Sequence, residues 1–192
     1  EIRTTPRPQL RVRPGPPDWG PNRLRGELSF EYDGAVIGAV DPARGIVQAD
    51  SRRLILRDRE AERAAAERLT QLGFRPRGYY EGHGEKMGLQ LAARHLPRVV
   101  AALLGEGWRV EADGKLYRHA GSIRIEVSSG IDWCELHGAV EFGETVATLP
   151  VLLAALRRGE RTVLLGDGTF GVLPEEWLRK HSLLARLGTE SD

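Results

Sequence analysis

The sequence predicts an α+β fold with a mostly antiparallel sheet built from hairpins, and three observations carry that prediction. Short runs of alternating apolar and polar residues recur along the chain, several of them joined by Asp-Gly, a dipeptide that suits a tight hairpin turn. Stretches with helical periodicity fall between these hairpins, each opened by proline or closed by glycine. Strands that arrive in pairs, with helices inserted between them, argue against a doubly wound parallel sheet.

In residues 1–26, Pro6, Pro8, Pro14, Pro16, Pro17 and Pro21 are interleaved with Arg3, Arg7, Arg11, Arg13, Arg23 and Arg25. Proline at this density forbids a helix, so the stretch is expected to be a linker or arm, with one short strand at Leu10 and Val12. The six arginines are candidate nucleic-acid contacts, although only Trp19 accompanies them as an aromatic for base stacking.

An α+β region is expected over 27–188. Leu28, Phe30 and Tyr32 alternate with polar neighbours, and Asp33-Gly34 turns the chain into AVIGAV; RRLILR is a third strand. From Asp58, a helix places Ala61, Ala64, Ala65, Leu69 and Leu72 on one face and closes at Gly73, while Glu60, Arg63, Glu67 and Arg68 form a solvated face. Gly78–Gly88 reads as a surface connection with a strand carrying Tyr79 and Tyr80, beside His83 and Lys86. Pro97 opens a helix marked by Leu96, Val99, Val100, Leu103 and Leu104, and a hairpin about Asp113-Gly114 follows.

Further on, Ile123, Ile125 and Val127 alternate in a strand. Cys134, Leu136, Val140 and Phe142 then share one strand face, with Glu135, His137 and Glu141 on the other. Pro150 opens a helix that Gly159 closes behind Arg157 and Arg158, two cations suited to the negative end of the helix dipole. RTVLL and TFGVL flank Gly166-Asp167-Gly168 as a hairpin, and Pro174 opens the last helix. Trp108, Trp133 and Trp177 sit at element boundaries as buried anchors. Both a single core and two halves dividing near 107–121 fit this pattern.

Composition narrows the function classes. The 192 residues carry 41% hydrophobic and 29% charged residues, as expected of a globular protein able to bury a core. A formal net charge of +1 gives no general electrostatic case for nucleic acid. The lone cysteine, Cys134, excludes an internal disulfide and points to a reducing, cytoplasmic location. Apolar runs such as Val151 to Leu156 are too short to span a bilayer.

Residues 166–171 spell GxGxxG after a strand, but no helix begins there and no acidic residue follows at the end of a next strand. A structural hairpin is the better reading. None of Lys86, Lys115 and Lys180 lies in a P-loop. Cys134 and His137 form one C-x-x-H pair without a second, which excludes an ordinary zinc site. Asp132, Glu135, Glu141 and Glu144 show no sign of a paired acid and base, and no GxSxG elbow accompanies Ser128, Ser129 or His137. Hence no catalytic residue, cofactor or metal is expected.

The segments SSGIDWCEL, VEFGE, LLAALRRGER, LLGDGTFGVLPEEWL and LLARLG resemble, in that order, the accessory region preceding the motor in bacterial Swi/Snf-family helicases. The resemblance is densest from Val127 to Gly188, and Cys134 stands where that pattern would have an aromatic residue. It implies a non-catalytic domain that regulates or positions a DNA-dependent ATPase on DNA or on a partner. The motor would lie beyond Asp192 in the same polypeptide, with 189–192 as the tail leading to it. Leu183, Leu184 and Leu187 on the last helix would then be candidates for docking on it. The start at Glu1, without methionine, suggests an excised piece of a longer chain. DNA binding by this fragment alone is expected to be weak. The alternatives are a freestanding nucleotide-binding enzyme using the 166–171 loop, and a nucleic-acid-binding module using the N-terminal arginines.

Overall fold

The computed structural model describes residues 2–48, 52–82, 84–112, 114–129, 134–174 and 176–180. The fold is α+β with a mostly antiparallel, mixed sheet. The chain divides into two compact units, Glu1–Gly114 and Lys115–Asp192.

The first unit contains β1 (Ile2–Arg3), β2 (Arg7–Pro14), β3 (Arg23–Tyr32), β4 (Ala35–Gly38), β5 (Gly45–Gln48) and β6 (Arg53–Leu56). After these come α1 (Arg59–Gln71), β7 (Arg75–Glu81), β8 (Gly84–Ala92), α2 (Leu96–Gly105) and β9 (Arg109–Ala112). Its main sheet runs β9–β2–β3–β8–β7, with only β2–β9 parallel; β1, β6 and β5 form a small separate sheet. Leu10, Val12, Phe30, Tyr32, Leu91 and Val110 are buried on one face of the main sheet, and α1 and α2 bury Leu69, Val99 and Leu103. Gly26 is glycine because the Phe74 ring packs over it: an added Cβ would lie 2.7 Å from Phe74 Cε1.

Residues 1–26 therefore do not form a linker or arm, since Arg7–Pro14 is a strand with partners on both sides. Leu10 and Val12 are each 1% exposed, and their alternation with arginines outweighs the surrounding prolines. The two-sided stretch, Gln9–Val12, contains no proline, so no ladder donor is missing there. The buried face of α1 also differs from expectation. Glu62, Ala65 and Leu69 are buried, followed by Leu72, whereas Ala64 is exposed. Gly78–Gly88 belongs to the β7–β8 hairpin.

The second unit contains β10 (Lys115–His119), β11 (Ile123–Ser129), β12 (Cys134–Phe142), β13 (Thr145–Thr148), α3 (Leu149–Arg157), β14 (Thr162–Leu164) and β15 (Phe170–Val172). β11–β12–β13 is an antiparallel sheet; β14 pairs antiparallel with β15, which pairs parallel with β10. Val140, Phe142, Leu149, Leu152, Val163 and Trp177 share one core. Residues 176–180 are helical, and Leu178 N–H donates to the Pro174 carbonyl at 3.0 Å.

α1, α2 and α3 end the same way. Gly73, Gly107 and Gly159 adopt positive φ, and two crossed backbone hydrogen bonds close each last turn in a Schellman motif. Pro97 and Pro150 lie in the first turns of α2 and α3, and Asp58 caps α1 by accepting from Ala61 N–H at 3.0 Å. No described helix is long and apolar enough to cross a membrane.

Candidate functional site

The outer face of the first unit's main sheet, opposite its apolar face, is the best-formed candidate surface. Alternation puts Arg7, Arg11 and Arg13 of β2 on this face, and the pairing register adds Arg23 and Arg25 of β3. Arg109 joins them beside Gln9, and Arg77 and Lys86 extend the row across β7 and β8. Against these cations stand the carboxylates Glu27, Glu31, Glu81 and Glu111. Five of the six arginines singled out in the sequence are thus fixed on one rigid face. The side chain of the sixth, Arg3, lies outside the described residues.

Much of that charge is engaged locally. Arg11 meets Glu111 at 3.3 Å, Arg25 meets Glu27 at 3.2 Å, and Lys86 meets Glu81 at 2.6 Å. Arg7 donates to the Gly107 carbonyl at 3.3 Å. Trp19 and Tyr79 pack edge to face at 5.9 Å, and the Trp19 indole N–H donates to the Gly78 carbonyl at 2.9 Å. Arg25 covers the Tyr79 ring at 4.6 Å, and Arg77 lies 5.7 Å from the Trp19 ring. Both rings are buried and present no stacking surface. Arg23 and Arg109 are exposed and make no side-chain hydrogen bond or ion pair among the described residues.

A groove of about 1230 Å³ opens on this face. Its origin is topological. One edge of β3 is shared between two partners: β8 pairs with Arg23–Gly26, and β4 pairs with Ser29–Tyr32. The partners separate at Glu27 and Leu28, so the groove is walled by Val36, Gly38 and Val40 on one side and by Lys86, Met87 and Gly88 on the other.

Both walls are anchored from beneath. The buried Arg57 guanidinium holds the loop after β4 through the carbonyls of Gly38 (3.2 Å), Asp41 (2.6 Å) and Ala43 (3.2 Å). It also grips Glu62 in a two-pronged pair at 2.7 and 2.9 Å. The Tyr32 hydroxyl donates to Glu62 at 2.7 Å and accepts from Asp58 N–H at 2.9 Å. Burial, reinforced by the bond to Glu62, pushes the Tyr32 phenol up to about 12. On the other wall, Trp19, Tyr79 and Arg25 leave room for no side chain at Gly88, where an added Cβ would meet all three within 3.3 Å.

The Gly166–Gly171 motif has a different use. Asp167 sits between its glycines and accepts Thr169 N–H at 3.0 Å and Thr169 hydroxyl at 2.6 Å. Its other oxygen accepts Arg118 Nη2 at 2.9 Å and Thr145 hydroxyl at 3.1 Å. These donors, Thr169 first, hold the carboxyl down at about 2. Gly168 adopts φ +80°, as the turn requires, and Gly171 lies against the Phe142 ring. The three glycines and the acid therefore belong to the β14–β15 hairpin.

Trp108 and Trp177 are buried, whereas Trp133, His83, Leu183, Leu184 and Leu187 lie outside the described residues, as do the side chains of Cys134 and Glu135. Among the described residues no three His, Cys, Asp or Glu side chains gather as a metal site. Sequence reasoning missed the groove, although one signal was present. In AVIGAV both strand faces are apolar, while only Ile37 is needed in the core and Val36 and Val40 remain 59% and 87% exposed. The chain matches no family model, and comparison with curated proteins and with solved structures gives no match.

Proposed function

We propose that the chain is a non-catalytic accessory module of a bacterial Swi/Snf-family DNA-dependent ATPase, regulating or positioning that motor on DNA or on a partner. The motor is its partner in the same polypeptide. The family assignment rests on the resemblance in Val127–Gly188. The observation that carries the non-catalytic part is the saturation of Asp167: in the one motif with nucleotide-binding form, the acid is taken up by Thr169, Arg118 and Thr145. The nearby Lys115 lies over the Phe170 ring at 4.8 Å, on β10 and not in the glycine-lysine turn of a P-loop.

Titration calorimetry with Mg-ATP tests this reading. No heat of binding is expected from the chain. Saturable micromolar binding that Gly166→Val abolishes would overturn it in favour of a nucleotide-binding enzyme, because a side chain at Gly166 enters open space and leaves the hairpin intact.

A further inference from the structure

We infer that residues 40–43 form a strap latched at the start of α1 by two arginines, which opens and closes while sheet and helix stay folded. This rests on hydrogen-bond geometry and is independent of the family reading. The strap gains little from packing, since Val40, Asp41, Pro42 and Ala43 are all exposed. Its ends are fixed: Ala39 N–H donates to the Leu28 carbonyl at 3.0 Å, and Arg57 N–H donates to the Arg44 carbonyl at 3.1 Å. Between those ends, the backbone carbonyls turn towards cations. Arg57 donates to those of Asp41 and Ala43, and to that of Gly38 at the entrance. Arg59 donates to the Ala43 carbonyl at 2.7 Å and reaches those of Asp41 and Pro42 at 3.4 Å. Charge-assisted hydrogen bonds thus take the place of a core.

The two halves of the latch differ in what holds them. Glu62 of α1 grips Arg57 with both oxygens and pairs with Arg59 at 3.4 Å. The Tyr32 hydroxyl secures Glu62 from β3. These groups stay together when the strap leaves, so opening strands no buried charge. The strap itself has only two short-range bonds, from Asp41 N–H to the Gly38 carbonyl at 3.1 Å and from Ala43 N–H to Asp41 Oδ1 at 2.8 Å. Carbonyls that leave the arginines are taken up by water, an exchange with a small net cost. Opening of the strap therefore lies well below global unfolding in free energy. Val40 lines the groove, so the latch sets the groove's width along that wall.

The test is native-state hydrogen exchange on the whole chain at low urea concentrations, read amide by amide by NMR. The Asp41 and Ala43 amides should exchange through an opening that urea leaves unchanged, while amides of the β2–β3 ladder follow urea-dependent global unfolding. Arg59→Ala should speed exchange at Asp41 and Ala43 about three- to tenfold, because its bonds exist only in the closed strap. Val12→Ala, on the buried face of β2, should speed the ladder amides and leave the strap's rates unchanged, because Val12 stays packed when the strap is open. Strap amides without protection, or with the ladder's urea dependence, would overturn the proposal. So would strap rates that rise with the ladder's in Val12→Ala, or that are indifferent to Arg59→Ala.

Discussion

Gly171 lies flat against the ring of Phe142, so closely that a Cβ added to the glycine would stand 2.6 Å from Phe142 Cε1. The last glycine of the GxGxxG pattern is thus small for the sake of a ring on β12, not for a pyrophosphate. Gly171→Ala should destabilise the chain by ~1–3 kcal/mol through overpacking. Phe142→Leu should relieve part of that cost, with a coupling of ~0.5–3 kcal/mol in a double-mutant cycle. Chemical denaturation of the four proteins measures it. Additive effects would show that the two residues do not press on one another.

Asp167 gives a pH signature. Its folded pKa, about 2, lies below the reference value of 3.8, so its hydrogen bonds stabilise the fold above pH 4. That contribution declines as pH falls through about 2. Asp167→Asn should therefore lower the melting temperature at pH 7, and the gap from wild type should close towards pH 2. Tyr32 works in the opposite direction. Its raised pKa favours folding below pH 10, and this stabilisation is lost as pH climbs through about 12.

The ion pairs should separate sharply by burial. Arg57 and Glu62 have side chains 0% and 6% exposed, so Glu62→Ala leaves a buried guanidinium without its carboxylate and should cost ~3–5 kcal/mol. Arg68 and Glu106 pair at 2.6 Å, but both side chains are 37% exposed, and Arg68→Ala should leave the stability nearly unchanged. Urea midpoints for the two variants decide this. Similar losses would mean that burial does not govern these pairs.

The sequence was legible where the signal is local. Pro97 and Pro150 mark helix starts, Gly73 and Gly159 mark helix ends, and Asp33-Gly34 and Asp167-Gly168 mark turns, because each acts through its own φ or its nearest hydrogen bonds. It failed where the deciding partner is remote. Arg7–Pro14 is a strand because residues 109–112 close its second edge, which no local proline count reveals. Glu62 reads as one more surface acid of α1 until Arg57 and Tyr32 are seen to enclose it. The groove escaped notice for the same reason, since it arises where β3 exchanges β8 for β4.

DNA binding should be weak and steeply salt-dependent, because most of the sheet's arginines are already engaged. Removing residues 1–26 would test nothing, as it deletes a strand paired on both sides. The informative variant is Arg13→Glu, Arg23→Glu, Arg109→Glu, which should abolish the anisotropy change with a labelled duplex at low salt. Tight, sequence-selective binding that survives these substitutions would place recognition elsewhere.

The most direct measurement is steady-state ATP hydrolysis by the proposed motor polypeptide, with and without residues 1–192, across a DNA titration. An accessory module predicts that removal alters the DNA stimulation curve while the KM for ATP stays the same. Loss of hydrolysis together with hydrolysis by residues 1–192 alone would contradict the account, because the chemistry would then reside in this chain.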